Sequence, residues 1–176
     1  MQNIYRDGRF DPDIWTLVAD DEPLPEGGHA LIGKARWLEE RDVLAKSRLS
    51  LGLALAAGDT LDDVVADLPR FSVIALEFPK FADGRSYSTA RLLRETHGFK
   101  GELRAIGDVL IDQIPLMRRC GFDAFAISNE PTRRALEAGH FPDVPYYTQP
   151  IADRGEVPAG TRPWLRVPAA PAPPVR

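Results

Sequence analysis

The chain has 176 residues, 44% of them apolar and 27% charged, with a formal net charge of −4. That is enough for one globular domain with a core, and the acidic balance argues against non-specific nucleic-acid binding. A single cysteine, Cys120, excludes an internal disulfide framework and a cysteine-rich metal site.

Residues 1–29 are rich in Asp, Glu, Pro and Gly, with Ile14, Trp15, Leu17 and Val18 as the one apolar cluster. They read as an N-terminal arm laid over the domain, with one short strand over Asp11–Val18. Met1–Phe10 lacks the apolar core of a signal peptide, and no apolar run approaches the roughly 18 residues that cross a bilayer. The expectation is a soluble, cytoplasmic protein with no membrane partner.

A single α/β domain is expected over 30–150. The spacing of Trp37, Arg41, Leu44 and Arg48 predicts a helix over 36–48. Leu49–Ala56 reads as a buried strand. A short helix then starts at Asp59 or Thr60 and stops at Pro69. Ser72–Phe78 is a second buried strand, apolar and partly β-branched, ended by Pro79. The loop Lys80–Arg85 follows, and Ser86 or Ser88 is positioned to cap a helix over 87–97.

Glu102–Ile106 is the third strand. Asp112 as N-cap puts Pro115 in the first turn of a helix ending at Cys120. Asp123–Ile127 is the fourth strand, and Pro131 opens a helix over 132–138. Gly98, Gly121 and Gly139 each stand where a left-handed residue closes a helix, and each is followed within two residues by a Phe suited to plug the core (Phe99, Phe122, Phe141). Four βα units imply a mostly parallel sheet with right-handed crossovers. The length suits a small open sheet or a partial TIM-like barrel, whose exposed edges would favour a homodimer. Residues 151–176 are Pro-, Ala- and Arg-rich and are expected to form a disordered tail.

In such folds ligands bind at the carboxyl ends of the strands. That edge collects Gly58 and Asp59, then Glu77, Lys80, Asp83, Gly84 and Arg85, then Gly107 and Asp108, then Ser128, Asn129 and Glu130. Lys80, Arg85 and the N–H groups near Ser86 suit a small anion. Glu77, Asp83 and Asp108 are candidate proton carriers where their surroundings shift them. Each has a plainer use. Ser86 and Asp108 serve as caps, Arg85 pairs with Asp83, Asp112 and Gln113 bond backbone groups, and Cys120 fills the core. His29, His97 and His140 share no metal-ligand spacing, so no metal site is expected. The chain lacks G-x-G-x-x-G, a Walker loop, G-x-S-x-G and C-x-x-C, so no cofactor is expected.

The blocks Glu77–Arg94, Gly98–Gln113 and Arg118–Phe125 together resemble the bacterial family called domain of unknown function nine-three-four, over about residues 30–150. The resemblance implies a role in sulfur assimilation, because such genes commonly lie beside those of assimilatory sulfite reductase. It implies an accessory or regulatory protein with sulfite reductase as partner. Members also carry an oxidoreductase label, which implies the alternative of an enzyme on a small anionic sulfur-pathway substrate. The positions carried over are Phe78, Lys80, Asp83, Gly84, Arg85, Arg104, Gly107, Asp108, Asp112 and Gln113, with Arg104 joining Lys80, Arg85 and Ser86 as anion-binding candidates. Asp83, Asp108 and Asp112 are the catalytic candidates. The Ile114–Pro115 pair departs from the family pattern.

Overall fold

The computed structural model describes residues 3–142, together with the strands Tyr146–Thr148 and Arg166–Pro168. Its centre is an eight-stranded sheet, open and curled into a half-barrel, with helices on one face. In chain order the strands are β1 (Asn3–Arg6), β2 (Arg9–Pro12), β3 (Trp15–Val18), β4 (His29–Gly33), β5 (Ser50–Leu55), β6 (Val73–Phe78), β7 (Glu102–Gly107) and β8 (Ala124–Phe125). The spatial order is β2-β1-β8-β7-β6-β5-β4-β3. β3 to β8 run parallel in sequence order, whereas β1 and β2 are antiparallel additions beyond β8.

Four expected strands are present as β5, β6, β7 and β8, the last two residues long. The mostly parallel expectation fails at one edge, where Asp7–Gly8 turns the chain back as a hairpin. Both residues take positive φ, 50° and 83°, as a two-residue turn matched to strand twist requires. The expected arm over 1–29 is instead three strands and a loop, and it puts Ile4, Tyr5 and Val18 into the interior. The single strand expected over Asp11–Val18 is divided between β2 and β3. β4 is a further strand, with Ala30 and Ile32 in the core.

β2 and β3 are the two edges of the sheet, yet only Asp13 and Ile14 separate them in sequence. Three peptide steps span at most about 11 Å, so the sheet must curl until its edges approach. The inside of the curl holds Leu31, Val73 and Ala75, with Trp15, Ala54 and Ile106 against them. The other face carries the larger core, including Leu53, Ile74, Leu76, Phe78, Leu103 and Phe125.

Helices cover that larger core. α1 (Lys34–Leu44) buries Trp37 and Leu44, as the predicted stripe requires, but begins two residues before the expected start and ends four before the expected end. The buried Trp37 indole N–H donates to Asp67 at 3.0 Å, tying α1 to a 3-10 helix at Val65–Arg70. α2 (Arg85–Arg91) runs into a π-helical turn at Leu92–Thr96. α3 (Ile114–Arg119) has Gln113, not Asp112, at its N-cap, and Pro115 sits in its first turn. α4 (Glu130–Glu137) has Asn129 as a true cap, accepting from Thr132 N–H at 2.9 Å. Gly98, Gly121 and Gly139 have the expected positive φ, and Phe99 and Phe122 are buried just after the first two. Most of 151–176 lies outside the described residues. Within it Arg166–Pro168 is a strand, β10, paired with β9 (Tyr146–Thr148).

Candidate functional site

Successive side chains alternate between the two faces of a strand, so Glu77 points inside the curl while Leu76 and Phe78 enter the core. At the carboxyl ends of the parallel strands Glu77 joins Leu17, Gly33, Ala54 and Ile106 in lining a cleft of about 620 Å³. Its rim adds Asp20, Lys34, Leu38, Asp59 and Asp63. This is the size of a small-molecule site at the location where α/β folds place ligands.

The cleft is rich in carboxylates. Lys34, its one cation, donates to the Thr60 carbonyl at 2.7 Å and pairs with Asp63 at 2.8 Å. The hydrogen bond from Lys34 holds the Asp63 carboxyl below the usual carboxylate range. Asp59 accepts from Ala56 N–H at 2.8 Å. Glu77 is half-buried, and its carboxylate has no partner among the described residues.

The loop after β6 stands beside this cleft, and most of its charged and polar groups hold the loop itself. Asp83 accepts from the Arg85 backbone N–H at 3.2 Å and from its guanidinium at 3.0 and 2.6 Å. Those bonds hold the Asp83 carboxyl down at about 2. The Arg85 guanidinium lies over Gly58, so close that a side chain there would collide with it. Asp108 accepts from Phe81 N–H at 3.0 Å, and Gln113 donates to the Phe81 carbonyl at 3.3 Å while accepting from Leu110 N–H at 2.9 Å. Ser86 does not cap α2. Its hydroxyl turns inward to donate to the Glu77 carbonyl at 2.6 Å, and Gly84 takes the N-cap position. Ser88 is exposed.

Lys80 is exposed and has no partner among the described residues. Asp112 is exposed on the approach to α3. Glu130 pairs with Arg134 one helical turn on, at 2.9 Å. Ser128 donates to the Gly107 carbonyl at 3.3 Å.

Arg104 lies elsewhere. Leu103 and Ala105 face the helices, so Arg104 enters the curl, where it is 3% exposed. There it contacts both oxygens of Asp13 at 2.8 and 2.7 Å and pairs with Glu102 at 2.8 Å. Arg6 closes the network on Glu102 at 2.7 Å. Arg104 is thus an internal tie to the N-terminal strands, and the structure does not bring it to Lys80 and Arg85.

Sequence reasoning placed Glu77 and Asp59 on this edge but missed Lys34, Asp20, Asp63 and Leu38. Lys34 directly follows an apolar run bounded by Gly28 and Gly33, which is a strand-end signature. Cys120 sits in the core with its thiol pushed up by burial. Among the described residues no group of His, Cys, Asp and Glu could hold a metal ion, and no helix is long and apolar enough to cross a membrane.

The family model described as Bacterial protein of unknown function (DUF934) matches residues 52–156. The chain belongs to this family. No curated protein and no solved structure matches it. The matched span runs from within β5 to beyond α4, taking in β9, and includes the loop after β6, Glu77 and Gln113. It leaves out β1 to β4 and the cleft wall that they supply.

Proposed function

We propose that this DUF934 protein is an accessory or regulatory protein of assimilatory sulfite reduction, acting by binding through the strand-end mouth of its curled sheet. The family resemblance supplies the pathway. The observation that carries the binding reading is the cleft, where Glu77 stands half-buried, with no carboxylate partner among the described residues, beside a loop pinned by Asp108 and Gln113. A fixed loop next to an open cleft is a recognition face. Asp83 is matched to Arg85 and Lys34 to Asp63 instead of converging on a reacting centre.

Co-purification with sulfite reductase tests this directly. Association is expected, and a deletion strain should use sulfate poorly as its sulfur source. No association together with normal growth would contradict the proposal.

The rival reading is an enzyme on a small anionic sulfur-pathway substrate, in line with the oxidoreductase label. Glu77 favours it to one extent, since an unbonded carboxylate at a strand end is suited to carry a proton. The carboxylate rim disfavours it, because an anion there would meet like charge. Lys80 is the exposed cation that remains for the anion-friendly reading. Thermal shift against sulfite, sulfate and phosphate separates the two. Saturable stabilisation, lost in Lys80→Ala, supports the enzyme; a flat response supports docking.

A further inference from the structure

The strand-end face carries two features of opposite shape. One is a knob. Phe81 is 51% exposed, although its backbone is fixed on both sides by Asp108 and Gln113. Lys80 beside it is exposed and has no partner among the described residues. An aromatic ring on a pinned backbone gives up little conformational freedom when it docks, and such rings are the usual anchors of interfaces. The other feature is the cleft of about 620 Å³, with room for a phenyl ring and a lysine stem. Its apolar wall includes Leu17 and Leu38, 57% and 38% exposed, and its carboxylates include Asp20 and Glu77.

The two are complementary. Aromatic meets apolar wall, and the lysine meets carboxylates. They also share one end of the sheet: Glu77, in the cleft, is three residues before Lys80, and Arg85 at the far end of the loop lies over Gly58, next to Asp59 of the rim. A knob and a socket on opposite ends would join copies into an open chain, whereas features on the same end let two copies face each other and close.

We propose that the occupant of the cleft is a second copy of this chain, in a twofold dimer where Phe81 and Lys80 of each copy enter the cleft of the other. This goes beyond the accessory reading and does not depend on it; a second copy seated in the cleft excludes sulfite reductase from it, so the dimer is a closed form that must dissociate before that partner docks. The interface is at the strand ends, not at the sheet edges β2 and β3.

Sedimentation velocity of the full chain over a concentration series tests it. A reversible dimer is expected. Phe81→Ser should weaken it at least tenfold without lowering the melting temperature of the monomer, since the ring is exposed. Lys80→Asp and Asp20→Lys should each weaken it, and the double variant Lys80→Asp/Asp20→Lys should recover part of the loss. A monomer at every concentration would overturn the proposal. So would a dimer indifferent to Phe81→Ser and Lys80→Asp, or a double variant no better than either single one. Should Phe81→Ser melt at a lower temperature at a concentration where both chains are monomeric, the ring is a packing residue and the knob is lost as an idea. Should it spare the dimer but abolish capture of sulfite reductase, the occupant is that protein and not a second copy.

Discussion

Arg104 and Asp13 are 91 residues apart in sequence and meet inside the curl at 2.7 Å, almost without exposure to solvent. Removing Asp13 leaves the buried Arg104 guanidinium with Glu102 as its remaining partner. Asp13→Ala is therefore expected to cost about 1–3 kcal/mol, measured by urea denaturation; no measurable loss would show that the network is solvated. The pattern Leu103-Arg104-Ala105 already says that Arg104 opposes the helix-covered face. Its partner was not legible, because an ion pair this distant in sequence depends on how the sheet curls.

Asp83 is the contrasting case, a charge whose partner two residues away was legible as one of two readings. Its carboxyl is held down at about 2 against an ordinary value of 3.8. A carboxylate depressed by folding contributes stability above its ordinary value, and that contribution is lost as pH falls through the folded value. The Asp83–Arg85 clip should thus stay closed at neutral pH, lose its stabilising contribution as pH falls below about 4, and stand half open near 2. Carboxyl NMR titration of Asp83 should give a midpoint near 2. A midpoint at the ordinary value would show that the clip does not form in solution.

At the scale of elements, the β6–loop–α2 unit rests on β7. Gly107 has φ 92°, and a Cβ there would meet the Phe78 carbonyl oxygen at under 3.0 Å. The same carbonyl accepts from Asp108 N–H at 2.7 Å. Gly107→Ala is expected to destabilise by more than about 1 kcal/mol and to loosen the loop that Asp108 and Gln113 pin, read as faster amide exchange at Phe81. Unchanged exchange would mean the loop holds without that close approach. The later helices and strands were legible because Pro115, Pro131, Gly98, Gly121 and Gly139 punctuate them with fixed backbone demands. The N-terminal half was not, although Asp7–Gly8 carries a strong hairpin signal. Its strands are short, four or five residues each, and the acids, prolines and glycines of residues 19–28 give the stretch a loop-like composition. Ser86 was misread as a cap for a similar reason, since its composition fits a helix start but its hydroxyl has a better acceptor in the Glu77 carbonyl.

Across the whole molecule, β1 covers the open edge of β8, and the β2–β3 link draws the two ends of the sheet together. Deleting residues 1–12 removes the hairpin, uncovers β8 and takes Ile4 and Tyr5 out of the interior. The truncated chain is expected to lose its cooperative thermal transition or to aggregate; a sharp transition at the original temperature would show that β3 to β8 fold without the hairpin. The same curl sets the cleft, since Leu17 of β3 and Ile106 of β7 line one cavity. The parallel core was therefore legible, whereas the wall supplied by β3 and β4 was hidden with the strands themselves.

The binding role proposed for the strand-end mouth is tested most directly by sulfite reductase activity in extracts of a deletion strain, complemented with the native chain or with Glu77→Gln. The expected result is reduced activity in the deletion strain, restoration by the native chain, and no restoration by Glu77→Gln although that variant folds and melts like the native chain. Full activity in the deletion strain, or full restoration by Glu77→Gln, would contradict it.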